Sequence, residues 1–327
     1  MNVDTEIIQQ KVDELRQKYS FKVTQKAVIP TEIVAQYGSP LGYESVEDGF
    51  LMWLRPGIYE SMNSNFICLS RDFKPERELI QTSHAVVDVS VDPVNKYIFS
   101  LEVNLYELFK GNAEGAFADK GNRIALYDRD GRFIDHVVCG SNTPFFATSF
   151  TRFDPHTLAY FDLISREIRI VDFSGNILRQ IPTGNRLIRR LRGNADTGLY
   201  FISLFNKNWL GIETEEKFET VYRCDANNQI EKVFENQFGI GVYNQIYDLE
   251  VDDDRWMYAA DQFFGKCNGA GDEVFRVSMK HSAWQINGEY LSPYIISLKK
   301  DATHPHCLYA MARNYHTPAC VLYQLTV

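Results

Sequence analysis

The chain has 327 residues, 45% hydrophobic and 24% charged, which is the balance of a globular protein rather than a disordered one. Its net charge of −9 and pI near 5.4 argue against a general role on nucleic acid or anionic membranes. No apolar run approaches the ~20 residues of a membrane helix, so membrane insertion is not expected.

The first residues lack the basic start and apolar stretch of a signal peptide. That reads as cytoplasmic as written, or as periplasmic or extracellular if an export signal has been removed. Residues 4–19 predict a short helix: Asp4 or Thr5 caps it, and Ile8, Val12 and Leu15 share one face that docks on the body. Phe21–Ile29 follows as a strand without a local partner, stopped by Pro30. The organisation expected is therefore a helical segment 1–19 on a single domain 20–327.

The stretch Asn122–Gly140, NRIALYDRDGRFIDHVVCG, reads as two strands joined by a turn on Arg129-Asp130-Gly131. Similar strands begin at Phe66, Ile168, Val221, Val274 and Val321, spaced about 44 to 58 residues apart, the range of four-stranded propeller blades. Each follows another apolar strand, and candidate inner strands such as Val86–Val91, Gln245–Val251 and Tyr294–Leu298 precede those. In the fifth repeat Val274–His281 is taken as third strand and Ala283–Ile286 as fourth, leaving Gln262–Asp272 as a long insertion. One hairpin cannot bury its own apolar face, so the copies imply repeat architecture. The last repeat ends after its third strand, and Phe21–Ile29 fills the gap against Val321–Leu325, removing an open edge. The expectation is an all-β, six-bladed β-propeller of four-stranded blades, closed by an N-terminal strand and preceded by a short helix.

NRIALYDRDGRFIDHVV and REIRIVDFSGNILRQI resemble the repeats of NHL-repeat and TolB-like six-bladed β-propellers, a likeness spanning Phe21 to Val327. The resemblance implies the architecture. It leaves function open, because these propellers include scaffolds, binding modules, lactonases and lyases.

Loops between second and third strands, and between blades, open on one face. The insertions Arg55–Asn65, Glu102–Asn122 and Asn206–Phe218 gather there, as does Gln262–Asp272. The expected function is binding of a peptide, a protein or a small anionic molecule at that face and the central mouth, by a monomer. The alternative is a lactonase-like hydrolase or a lyase at the tunnel mouth. The ligand-binding candidates are His84, Glu102, Asn142, Asp162, Arg190, Asn244 and Asp261. Arg190 belongs to RLIRRLR (Arg186–Arg192), a basic run on an acidic chain, and strand alternation sends Arg190 and Arg192 towards the tunnel. Val103–Asn122 reads as a lid or as a surface loop with one docked helical turn.

No cofactor is expected. By resemblance to lactonase-type propellers, the alternative is a divalent cation such as Ca²⁺ held by Glu102, Asn142, Asn244 and Asp261, whose oxygens suit a hard ion. His304-x-His306 has metal-like spacing but flanks Pro305 in a turn, and Asp252–Asp254 lacks the glycine and distal glutamate of a calcium loop, so both read as solvated turns.

The six cysteines form no C-x-x-C pair, and several fall on apolar strand positions. Thiol titration in denaturant is expected to find six free thiols; a disulfide would place the protein in an oxidising compartment instead.

Overall fold

The computed structural model describes residues 22–56, 63–141, 143–206, 212–235, 248–251, 257–260, 263–267, 274–278, 284–286, 289–291, 294–304, 307–313 and 320–326. The helix expected at 4–19 lies outside them. In chain order, β1 (Lys22–Ile29) is followed by α1 (Thr31–Tyr37), a short helix that the sequence reading did not anticipate and whose Ile33 is buried. Then come β2 (Ser39–Val46), β3 (Gly49–Arg55), β4 (Ser64–Ser70) and β5 (Pro75–Thr82), forming one antiparallel sheet in that order. A second sheet comprises β6 (Ala85–Val91), β7 (Ile98–Val103), β8 (Arg123–Tyr127) and β9 (Phe133–Cys139), with α2 (Leu105–Phe109) and α3 (Ala113–Phe117) inserted between β7 and β8. The third holds β10 (Ala147–Asp154), β11 (Thr157–Asp162), β12 (Glu167–Asp172) and β13 (Ile177–Pro182), and the fourth β14 (Ile188–Asn194), β15 (Gly198–Ser203), β16 (Thr220–Cys224) and β17 (Ile230–Glu235).

The fifth sheet departs from the expected register. It runs β18 (Asp248–Val251), β19 (Met257–Ala260), β20 (Phe263–Cys267), β21 (Val274–Ser278). Phe263–Cys267, assigned above to an insertion, is the third strand, and Val274–Ser278 is the fourth. Two aromatics at Phe263-Phe264 are good strand formers, and pairing them directly with β19 closes a shorter loop than waiting for Val274. Trp284–Ile286 (β22) leaves this sheet and pairs with Glu289–Leu291 (β23).

The sixth sheet, β24 (Tyr294–Lys300), β25 (Cys307–Arg313) and β26 (Cys320–Thr326), is completed by β1 on its outer edge. β1 runs antiparallel to β26, from Lys22 opposite Thr326 to Ile29 opposite Cys320. The inner strands touch in the order β2, β6, β10, β14, β18, β24 and back to β2, which makes the sheets a ring. This is an all-β propeller with few helices.

Packing between successive sheets is apolar and rich in aromatics. Phe99, Phe146, Phe150, Phe161 and Phe201 are buried in one continuous cluster from the second to the fourth sheet. A separate cluster seals the first sheet to the last: Tyr43, Phe50 and Met52 meet Tyr309, Met311 and Leu322, with Ile29 and Ile33 buried among them. Phe50 stands edge-on to Tyr309 at 5.1 Å, and the Tyr43 hydroxyl donates to the Tyr309 carbonyl.

The turns between third and fourth strands explain the repeated Asp. Asp128, Asp172 and Asp225 each accept, through Oδ1, the backbone N–H groups two and four residues on. The residue three after each Asp has a left-handed φ: 81° at Gly131, 82° at Gly175 and 65° at Asn228. Glycine and asparagine tolerate that region best. The first sheet uses Ser70 and Phe73 in the corresponding places, with φ 61° at Phe73.

Deleting residues 1–30 is expected to expose the β26 edge and cause aggregation or loss of cooperative melting. Ile29→Ala, a milder version, is expected to cost about 2–5 kcal/mol by emptying a buried site. Both are read by thermal and denaturant unfolding, and unchanged profiles would contradict the closure's importance.

Candidate functional site

The inner strands carry a feature that alternation alone does not reveal. Pairing with the second strand slips early in the inner strand, between Pro40 and Gly42, Val86 and Asp88, Ala147 and Phe150, Ile188 and Arg190, and Ile295 and Ser297. A bulge re-aims the side chains that follow it. After these slips the polar residues of successive strands converge.

One tier is buried and charged. Arg192 Nη1 lies 2.9 Å from Asp88 Oδ2, and Arg192 Nη2 lies 3.3 Å from Asp248 Oδ1. Arg190 Nε stands 3.5 Å from the same Asp248 oxygen. Ser149 Oγ donates to Asp88 Oδ2 at 2.7 Å and accepts from Leu191 N, while Leu298 N donates to Asp248 Oδ2. Five sheets, the second to the sixth, are thus tied to one guanidinium–carboxylate network. Burial alone would raise the Asp88 carboxyl, but Arg192, Lys299 and Arg190 hold it far below the usual carboxylate range. Burial also pushes the Arg190 guanidinium down, against the pull of Asp248 and Asp88.

The next tier faces a cavity of about 870 Å³. Each of the six inner strands contributes at least one polar residue to its wall, among them Glu44, Ser90, Thr151, Arg192, Glu250 and Lys299. Lys299 Nζ lies 2.5 Å from Glu44 Oε1, and Glu250 accepts from Val251 N and Lys300 N. Burial raises the Glu44 carboxyl despite the opposing Lys299 ammonium. Further out, Arg152 pairs with Asp92 at 2.5 Å, and His304 lies 3.2 Å from Asp301. The wall also takes residues from the turns after the inner strands, including Pro93, Asp196, Asp301 and Thr303. The cavity therefore opens on the face of the first-to-second-strand turns, opposite the long insertions.

The sequence candidates are dispersed. Glu102 is fully buried within its own sheet, accepting from Tyr127 Oη at 2.6 Å and pairing with Arg123 at 2.9 Å, so its oxygens are already engaged. Asp162 caps its own turn by accepting from Ile164 N and Ser165 Oγ, and pairs with Arg169. His84 meets Asp119 on the long-loop face. Arg190 belongs to the buried tier beneath Arg192. Asn142, Asn244 and Asp261 lie outside the described residues. Among the described residues no group of three or more His, Cys, Asp or Glu is arranged to hold a metal.

The Val103–Asn122 insertion is tied down. Asn104 and Asn112 cap α2 and α3, Leu108 and Ala116 enter the core, and Asn122 donates to the Ala116 and Phe145 carbonyls. Sequence reasoning placed Arg192 at the tunnel but missed Glu44, Glu250 and Lys299. Glu250 and Lys299 stand among other charges that read as turn residues, and Glu44 and Lys299 follow register slips that strand alternation does not show.

No protein-family model and no curated protein matches the chain. Solved structures do. Virginiamycin B lyase from Staphylococcus aureus superposes with a TM-score of 0.52 at 11% identity, covering 94% of this chain and 100% of that one. A streptogramin B lyase gives 0.53 at 10%, covering 94% and 97%. The β-propeller domain of Cps50 (Swd1) from Myceliophteria thermophila gives 0.51 at 10%, covering 86% and 82%. At such identities the likeness is one of fold.

Asp248→Asn is expected to cost about 3–5 kcal/mol, because it leaves Arg192 and Arg190 buried with one carboxylate fewer; denaturant titration reads this. Asp88, Asp92, Asp119 and Asp301 all have depressed folded values. Their contribution is full above the unfolded value of about 4 and is lost as pH falls through the folded values. Melting temperature is therefore expected to fall steeply on acidification below about pH 4, and a flat profile there would contradict the network.

Proposed function

We propose that this chain is a six-bladed, NHL- or TolB-like propeller whose central mouth binds a small ligand bearing both signs of charge. A short peptide is the simplest member of that class. The observation that carries the reading is the cavity of about 870 Å³ with polar residues from every inner strand in its wall. Its size falls within the range of small-molecule sites. Sites at the axis of a ring let groups from every sheet meet one ligand.

The wall's chemistry favours a mixed-charge ligand over a simple anion. Lys299 and Arg192 offer N–H donors to a carboxylate, while Glu44 and Glu250 offer acceptors to an ammonium or amide. Because Lys299 and Glu44 already pair, a ligand with both charges exchanges one ion pair for two. A purely anionic ligand would strand Glu44, whose carboxyl burial already disfavours as the ion. The protein acts as a monomer in this reading, and the occupied face is that of the short turns.

Calorimetry with cationic, anionic and mixed-charge tripeptides tests the proposal. Mixed-charge peptides are expected to bind, and Glu44→Gln and Lys299→Met each to weaken them by about 1–3 kcal/mol. Absence of binding at millimolar peptide, or equal binding by both variants, would overturn it.

A further inference from the structure

Away from the axis, on the face of the long insertions, three side chains stand in relay. Ser83 and His84 occupy the link between β5 and β6, and Asp119 sits in the insertion after α3. His84 Nε2 lies 3.2 Å from Asp119 Oδ1, and His84 Nδ1 lies 3.1 Å from Ser83 Oγ. An aspartate carboxylate only accepts, so Nε2 carries the proton and Nδ1 presents its lone pair to the serine hydroxyl. That is the tautomer a general base requires.

Asp119 is held for the purpose. Its Oδ2 accepts from Asn104 Nδ2 at 2.6 Å, and its Oδ1 also accepts from Gly121 N at 2.8 Å. Burial would raise this carboxyl, but Asn104, Gly121 and His84 keep it below the usual range, and so ionised. The imidazole lies close over Gly121, where a Cβ would come within 2.3 Å of His84 Cε1. Any larger residue at 121 would displace the ring. Ser83 is solvent-exposed, so its oxygen is reachable.

We propose that Ser83, His84 and Asp119 form an acyl-transfer site that takes small carboxylic esters. Ser83 Oγ adds to the carbonyl carbon as its proton passes to His84 Nδ1. The ester C–O bond breaks, and the departing alcohol oxygen takes that proton. Water then attacks the acyl-serine, gives a proton to Nδ1, and the serine recovers it as the carboxylic acid leaves. Asp119 is a positioning residue that fixes the tautomer. This activity is independent of ligand binding at the axis, since the two sites share no residue and open on opposite faces.

The test uses the full chain with a fluorophosphonate probe, followed by peptide mapping, and with p-nitrophenyl acetate. Covalent label is expected on Ser83 and is expected to vanish in Ser83→Ala. His84→Ala should slow labelling by about 100-fold or more, the usual worth of a positioned base. Asp119→Asn should lower the maximal labelling rate, because its amide can donate to Nε2 and reverse the tautomer, while leaving the probe's half-saturating concentration nearly unchanged. Asp119→Glu should restore part of the rate. Label on other serines alone, no label, or equal rates in wild type and His84→Ala would each overturn the proposal.

Discussion

A guanidinium buried between two carboxylates is the constraint around which this ring is arranged. Arg192 projects from the fourth sheet and meets Asp88 of the second and Asp248 of the fifth. Moving three charges out of water carries a heavy desolvation cost, recovered only when geometry and supporting hydrogen bonds are good. Here the supports come from Ser149, from Leu298 N and from Arg190 beside it. Groups from the third and sixth sheets are thereby drawn in. An apolar axis would let the wedges slide radially, whereas directional bonds between inner strands set how far each sheet approaches the centre. The cavity above this tier exists because the sheets stop at that distance.

Closure at the rim is the complementary constraint. Among the described residues, five of the four-stranded sheets are made from consecutive strands, and the sixth takes its outer strand from β1. The Tyr43–Phe50–Tyr309 contacts and the buried Ile29 then seal first sheet to last. Axis and rim act differently. Charge at the centre specifies geometry, while aromatic burial between sheets supplies most of the drive to assemble.

What could be read beforehand followed from chemistry that is local in sequence. Asp128 and Asp172 announce their turns because the Asx hydrogen bonds and the left-handed glycine lie within four residues. The orphan strand before Pro30 could be matched to the missing edge because both lack a partner. Most of the bulges left no such mark: Pro40 and Gly42 flag the first slip, but nothing in VVDVS says where pairing shifts. Those slips decide which charges face the axis. In the fifth repeat, two adjacent segments, FFGKC and VFRVS, both fit the third-strand pattern, and it is FFGKC that pairs with β19. The Ser83–His84–Asp119 relay was invisible because Asp119 stands 35 positions from His84 in an insertion that reads as a plain helical loop.

The direction of β1 in the last sheet has a mechanical consequence. Lys22 lies opposite Thr326, so the entry of one strand and the exit of the other sit at the same end of the ladder. A force drawing those two ends apart acts across the hydrogen bonds rather than along the strands. The pairs then part in succession, beginning at Lys22–Thr326 and reaching Ile29–Cys320 last, as a zipper opens. Tethering between neighbouring bodies through these ends would therefore load the ring at the seam that closes it. The same structure pulled from the ends of any inner strand would resist in shear.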